Sequence, residues 1–310
     1  MKIVFMGTPD FAVGSLEALI QAGHEITAVV TQPDKPKGRS GALQYPAVKV
    51  CAIEHGILVF QPERIKRPEA VAQLKTYEAD VFVVAAFGQI LSQEILDMPG
   101  YGCLCVHASL LPKYRGASPI QHVIIDGEEK TGITIMQMDA GVDTGDMLYQ
   151  KELDIDREDT AQTLSEKLTV LGGQAIVEAL ELIEKGALTP RKQRDEDSCY
   201  ARLITKEMGR IDFSRSAYAI DRLVHGMNPW PSAYTTYQGK QLKIWNAVAE
   251  EGSAAGVNPG TVVAVGKQDF TVAAGEGVLR IREVQLEGKK RMSAYDFLLG
   301  VRIAPGEKLG

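Results

Sequence analysis

The chain has 310 residues, 45% of them hydrophobic and 24% charged, with a net charge of −6. These values fit a globular protein of about two domains, and no apolar run approaches the ~20 residues of a membrane span. Its four cysteines, Cys51, Cys103, Cys105 and Cys199, form no disulfide framework, and the opening MKIVFMG lacks the shape of a signal peptide, so a reduced, cytoplasmic setting without a membrane is expected.

Residues 2–6 form an apolar run of the buried-strand type, and GTPD after it makes a turn. Residues 11–22 place Val13, Leu16, Leu19 and Ile20 on one helical face, and residues 26–31 give the next strand. A βαβ start predicts a parallel sheet, while the absence of GxGxxG speaks against a dinucleotide site. Residues 32–46 read as a loop holding Lys35, Lys37 and Arg39, either reaching phosphates or simply solvated. Helices are expected over 47–55 and 68–77, strands over 57–60 and 80–86, and a helix running to about Met98 after Phe87-Gly88-Gln89-Ile90.

Residues 102–146 hold the densest set of chemically capable groups. One apolar run, 103–106, ends at His107 and the loop SLLP; another, 133–138, ends in DAGVDTGD. Ligand sites in open α/β sheets lie at the carboxyl ends of strands, and a histidine with an aspartate from two such ends makes an acid/base pair. Between these runs, residues 117–126 suit a helix. Residues 153–157 read as extended, and helices follow over 159–171 and 174–185, the first opened by a capping box of Asp159 and Gln162.

Residues 190–200 are polar and read as linker, giving expected domains of 1–189 and 208–310 joined by 190–207. The last part carries a helix at 217–226 and then short alternating segments at 233–237, 242–249, 260–265, 270–274 and 278–284. Such punctuation predicts a small β-barrel or sandwich, with Trp230 and Trp245 in its core. Residues 201–310 carry 15 Lys+Arg against 11 Asp+Glu, whereas residues 1–200 carry 19 against 29. The excess is either a basic last third facing a polyanion or chance.

HASLLPKYRGASPIQ and TGITIMQMDAGVDTGDML resemble the folate-dependent formyltransferases, and MGTPDFA, TQPDKPKGR and NPWPSAY extend the resemblance from residue 1 to about 300. The resemblance implies an α/β, Rossmann-like domain with a mostly parallel sheet and a small C-terminal OB-like barrel. It implies transfer of a formyl group from 10-formyltetrahydrofolate to the amine of methionyl initiator tRNA; a monomer without a metal is expected. By position it assigns catalysis to His107 and Asp143. Folate contact falls to Ser109, Leu110, Leu111, Pro112, Phe87, Gly88, Gln89, Ile90 and Asp139, and tRNA contact to Lys35, Lys37 and Arg39. The basic turn Lys289-Lys290-Arg291 is a further candidate for phosphate contact, or else a solvated turn.

The sequence departs from the family at Cys105, where an asparagine is usual. A thiol is a weaker donor than an amide, and losing one oxyanion donor typically costs on the order of 10² to 10³ in rate. The site is therefore slowed, compensated by another donor, or that of a non-catalytic RNA-binding relative. Cys103, Cys105 and His107 share one strand face, but a spacing of ~6.8 Å suits metal ligation poorly. Formyl transfer to a small amine, such as an amino sugar, is the competing enzymatic reading.

Overall fold

The computed structural model describes residues 1–37, 42–252 and 256–310. In chain order the first elements are β1 (Lys2–Gly7), α1 (Asp10–Gln21), β2 (Glu25–Val30), β3 (Lys35–Lys37), β4 (Ala42–Gln44), α2 (Ala47–Glu54), β5 (Val59–Phe60), α3 (Pro68–Lys75) and β6 (Val81–Ala85). Then come α4 (Gln93–Leu96), β7 (Cys103–His107), β8 (Arg115–Gly116), α5 (Pro119–Asp126), β9 (Lys130–Gln137), β10 (Met147–Asp154) and α6 (Ala161–Glu184). The remainder are β11 (Tyr200–Ala201), α7 (Ala217–Gly226), β12 (Ala233–Tyr237), β13 (Lys240–Glu250), β14 (Val262–Val265), β15 (Phe270–Ala273), β16 (Val278–Leu286), β17 (Met292–Ser293) and α8 (Ala294–Gly300).

These elements form two compact units. The first comprises Met1–Gly116, Lys130–Asp154 and Ser165–Ala201; the second comprises Ala117–Glu129, Ile155–Leu164 and Arg202–Gly310. Both are discontinuous in sequence, and the stretch read as a linker is divided, with 190–201 in the first unit. Its last residues form β11, paired in parallel with β8 through Tyr200↔Arg115 and Ala201↔Gly116.

The first unit is built on a seven-stranded sheet of order β10-β9-β7-β6-β1-β2-β5. β1 pairs in parallel on both sides, and Ile3, Val4, Phe5 and Met6 are fully buried, which is why its sequence is continuously apolar rather than alternating. β9 runs antiparallel to both β7 and β10. β10 starts at Met147, earlier than residue 153, because its inner residues Tyr149–Lys151 are half-buried and polar and give no apolar run. The loop expected over 32–46 contains a hairpin, with β3 pairing β4 on either side of residues outside the description.

Residues 161–184 form one continuous helix rather than two. The pair Gly172-Gly173 looks like a break in the sequence, yet its role is close approach. A Cβ at Gly173 would lie 2.7 Å from the Gly14 carbonyl oxygen, and one at Gly14 would lie 2.6 Å from that of Thr169. Both glycines let α1 and α6 touch backbone to backbone without breaking either helix.

The second unit has an antiparallel sheet of order β12-β13-β16-β15-β14, with β17 added to β16. Leu242, Ile244, Phe270, Val272, Leu279 and Ile281 fill its core with α7 and α8 residues. Neither tryptophan joins this core. Trp230 is 54% exposed in the turn before β12, and Trp245 follows the inward Ile244 and donates to Gln285 Oε1 at 3.2 Å. Strand alternation turns Trp245 outward, where Arg291 lies 4.5 Å from its ring centroid.

On α7, His225 Nδ1 sits 2.9 Å from the Asp221 carbonyl oxygen and 3.2 Å from Asp221 Oδ1. Burial alone would lower the pKa of His225. The bonds and charge of Asp221 outweigh it and hold the imidazole above its ordinary 6.5. A raised folded-state pKa contributes stability fully below pH about 6.5 and loses it as pH rises through the folded value. The melting temperature is therefore expected to fall as pH rises above about 6.5, and Asp221→Asn to flatten that fall. Thermal scans of both proteins across this range check it; equal slopes would reject the pair as the cause.

Candidate active site

β7 carries the first candidate residue because its apolar run ends where the sheet does. His107 is 6% exposed, and its Nε2 lies 2.9 Å from the Tyr114 carbonyl oxygen. A carbonyl only accepts, so Nε2 carries the proton and Nδ1 is the nitrogen left for chemistry. The group facing Nδ1 is Asp143 Oδ2 at 3.6 Å. That is longer than a full hydrogen bond, so Nδ1 is not committed to the carboxylate and stays open to a substrate atom.

Asp143 does not arrive as strand ends alone suggest. The register pairs Leu104 with Gln137 and His107 with Thr134. The carboxyl end of β9 thus lies beside the amino end of β7, and the loop 138–146 folds back to bring Asp143 to His107. Asp139 shapes that loop: its Oδ1 accepts from the Gly141 amide (3.0 Å) and the Thr144 hydroxyl (2.7 Å). At Gly145 a Cβ would collide with the Gln137 carbonyl, so only glycine fits the loop so close to β9. Asp143 holds φ 54°, a left-handed conformation sparsely used outside glycine, and its Oδ2 accepts from the Gly116 amide at 2.7 Å.

The loop 109–112 is pinned from the neighbouring strands. Thr134 Oγ1 donates to the Ser109 carbonyl (2.7 Å) and accepts from the Leu111 amide (3.0 Å), while Gln150 Nε2 donates to the Leu111 carbonyl (2.9 Å). Ser109 Oγ is spent on the Lys113 carbonyl at 2.7 Å, which leaves the backbone and the half-buried Leu110 as the loop's contact surface. Leu111 is buried, and Pro112 follows it through a cis peptide bond.

Phe87–Ile90 follow β6, whose Val84 pairs with Cys105, so they leave the sheet at the same end as His107. The Phe87 carbonyl accepts from Thr8 Oγ1 (3.0 Å) and Gln32 Nε2 (3.2 Å), and Gly88 has φ 82°. Gln89 is tied to Pro62 and Ile65. Ile90 and Val142 are 67% and 51% exposed, offering apolar edges on two of the loops beside the pair. Apolar walls with a few fixed polar groups are what a flat heterocyclic ligand requires.

Cys103 is turned to the α4 carbonyls of Ile95 and Leu96 and is fully buried. Burial pushes its thiol up to about 12 and that of Cys51 up to about 11. Burial, then the negative charge of Asp143, push the Cys105 thiol up as well. Both effects favour the neutral thiol at Cys105. Cys199 alone is exposed. Alkylation by iodoacetamide at pH 8 is expected to label Cys199 first and the half-buried Cys105 more slowly; peptide mass spectrometry reads the order, and labelling of Cys105 ahead of Cys199 would overturn this assignment.

Two residues tied to the candidate site were not legible beforehand. Arg115 is buried and Gln193 sits in the stretch read as linker; Arg115 Nε donates to Gln193 Oε1 at 2.9 Å. The RG after KY was visible, but nothing in the sequence signals where its guanidinium points.

The basic residues are distributed differently. Lys35 lies on β3 and lines a cavity of about 570 Å³ with Thr8, Asp10, Gln32 and Tyr45; Lys37 ends the same strand, and Arg39 lies outside the described residues. In the second unit Lys289 and Lys290 are exposed, whereas Arg291 is engaged by Glu283 (Nε–Oε1, 2.7 Å) and stacks on Trp245. Among the described residues no cluster of three or more potential metal ligands occurs, and no helix is long and apolar enough to cross a membrane.

Comparison with known proteins follows the same division. Residues 1–180 match the formyl transferase family and residues 203–302 the formyl transferase C-terminal domain. The methionyl-tRNA formyltransferase of Lachnospira eligens is 53% identical over 314 residues, covering 100% of both chains. That of Geobacter metallireducens is 51% identical, covering 100% of this chain and 99% of its own. Among solved structures, an N-formyltransferase from Helicobacter canadensis with folinic acid and dTDP-3-aminofucose has a TM-score of 0.68 at 19% identity, covering 94% of this chain and all of that one. HypX from Aquifex aeolicus with tetrahydrofolic acid has a TM-score of 0.62 at 17% identity over 96% of this chain, which spans about half of HypX (47%). The protein belongs to the formyl transferase family, within the group formed by the methionyl-tRNA formyltransferases.

Proposed function

We propose that the protein transfers the formyl group of 10-formyltetrahydrofolate to the α-amine of methionyl initiator tRNA, acting as a cytoplasmic monomer. The observation carrying this reading is the convergence of His107 and Asp143, 3.6 Å apart, between two loops with exposed apolar residues. Bound formyl-folate supplies the one-carbon electrophile. The reaction forms a bond from the amine nitrogen to the formyl carbon and breaks the carbon–N10 bond, and the amine's proton passes to N10.

The protein's residues carry the charge and the proton. His107 donates from Nδ1 to the formyl oxygen as negative charge gathers there. Asp143 balances the imidazolium and stands within reach of the proton the amine sheds. The amine needs no strong base, since an α-amine pKa near ~7.7–8.0 leaves a usable neutral fraction at physiological pH. Cys105 offers only a weak S–H donor to the same oxygen. Residues 109–112, 87–90 and Asp139 form the folate cradle in this reading. Lys35, Lys37, Arg39, Lys289 and Lys290 contact phosphates, and Arg291 serves chiefly through Trp245.

Competition between methionyl-tRNA and small amines, an amino sugar among them, tests the acceptor. Charged tRNA is expected to be formylated preferentially; preference for the amino sugar would overturn the reading. Arg39→Ala is expected to weaken tRNA binding about tenfold, roughly the 1.4 kcal/mol of one or two phosphate contacts, with folate binding unchanged. Titration of each ligand checks this, and equal losses would reject a tRNA role for Arg39.

A further inference from the structure

We propose that Gln193 is a positioning residue for the His107–Asp143 pair and that residues 191–201 act as a strap holding the site. This rests on the formyl-transfer reading for its kinetic consequence, but not for its geometry.

The Gln193 amide reaches both sides of the pair. Its Nε2 donates to the Asp143 carbonyl at 2.9 Å and to the Gly145 carbonyl at 2.8 Å, gripping the loop on either side of Thr144. Its Oε1 accepts from Arg115 Nε at 2.9 Å. Arg115 lies between Tyr114, whose carbonyl orients His107, and Gly116, whose amide holds Asp143. One side chain therefore ties the loop carrying Asp143 to the segment that orients both groups.

The rest of the strap fastens the same segment. The Arg115 amide donates to the Cys199 carbonyl at 3.0 Å, and the Tyr114 amide to Cys199 Sγ at 3.2 Å. Arg191 reaches Gln150 Oε1 at 2.7 Å, and Gln150 in turn holds Leu111. Tyr114 and Asp143 sit at φ 60° and 54°, conformations that persist only where neighbours over-determine them. The strap supplies that determination, and its polar composition follows: it is held by hydrogen bonds rather than by apolar burial.

Gln193→Ala removes all three bonds. Gln193→Glu keeps an acceptor for Arg115 but sets a carboxylate against two carbonyls. Both variants are expected to lower kcat about 10- to 100-fold, since a displacement near 1 Å costs about that much, with KM for both substrates within about twofold. Gln193→Glu is expected to melt below wild type yet stay folded at 25 °C, because Arg115 keeps its bond to Asp195 Oδ1 at 2.9 Å. Amides 141–146 are expected to exchange hydrogen faster in both variants.

A merely structural role would be rescued by glutamate, so wild-type kcat in Gln193→Glu would overturn the proposal. Unchanged exchange over 141–146 would overturn it too. Failure of the wild-type protein to formylate methionyl-tRNA would instead sink the proposed function, while the exchange experiment still decides the strap.

Discussion

Replacing His107 by alanine is expected to lower kcat by roughly 10³-fold or more, with the protein still folded at 25 °C. The loss combines two effects. The donor to the developing oxyanion disappears, worth on the order of 10² to 10³, and with it the partner that Asp143 needs for proton transfer. The cost in stability is real, because His107 is 6% exposed and bonded to Tyr114 rather than merely ending a strand. An orphaned carbonyl costs about 1–3 kcal/mol, and Ser109 Oγ nearby is already committed to the Lys113 carbonyl. Steady-state kinetics beside a thermal melt check both halves; turnover within tenfold of wild type would remove His107 from the mechanism.

Asp143→Asn is expected to lower kcat about 10²-fold while leaving KM for either substrate nearly unchanged. The amide keeps the size of the carboxylate and an oxygen for the Gly116 amide, so the left-handed loop geometry survives. What disappears is the negative charge opposite Nδ1 and the acceptor for the amine's proton. Because the two groups act as one unit, the double variant His107→Ala, Asp143→Asn is expected to be scarcely slower than His107→Ala alone. Multiplicative losses in that cycle would mean that the residues act independently.

Much of the candidate site's geometry was legible in the sequence, for identifiable reasons. β1, β6 and β7 are buried on both faces, so their apolar runs announce them, and His107 stands out as the polar residue closing such a run. Asp143 announced itself through glycine-rich surroundings. The direction of β9 was not legible, because an apolar run carries no orientation, and this is why Asp143 reaches His107 by a fold-back rather than from an adjoining strand end.

The strap was hidden for a different reason. Residues 190–201 show no periodicity, and their order comes from bonds to Tyr114, Arg115, Asp143 and Gly145 that lie far away in sequence. A polar segment anchored in this way looks like linker to any reading based on burial. The division of α6 failed at Gly172-Gly173 because propensity outweighed packing in the sequence, whereas contact with α1 decides the structure.

The most direct test is a single turnover. The full chain, mixed with folate carrying a ¹³C-formyl group and with methionyl-tRNA, is analysed by mass spectrometry of the aminoacyl end. The predicted result is one labelled formyl group on the methionine α-amine, formed far more slowly by His107→Ala and Asp143→Asn. No label from the wild-type protein, or label from both variants at the wild-type rate, would contradict the account.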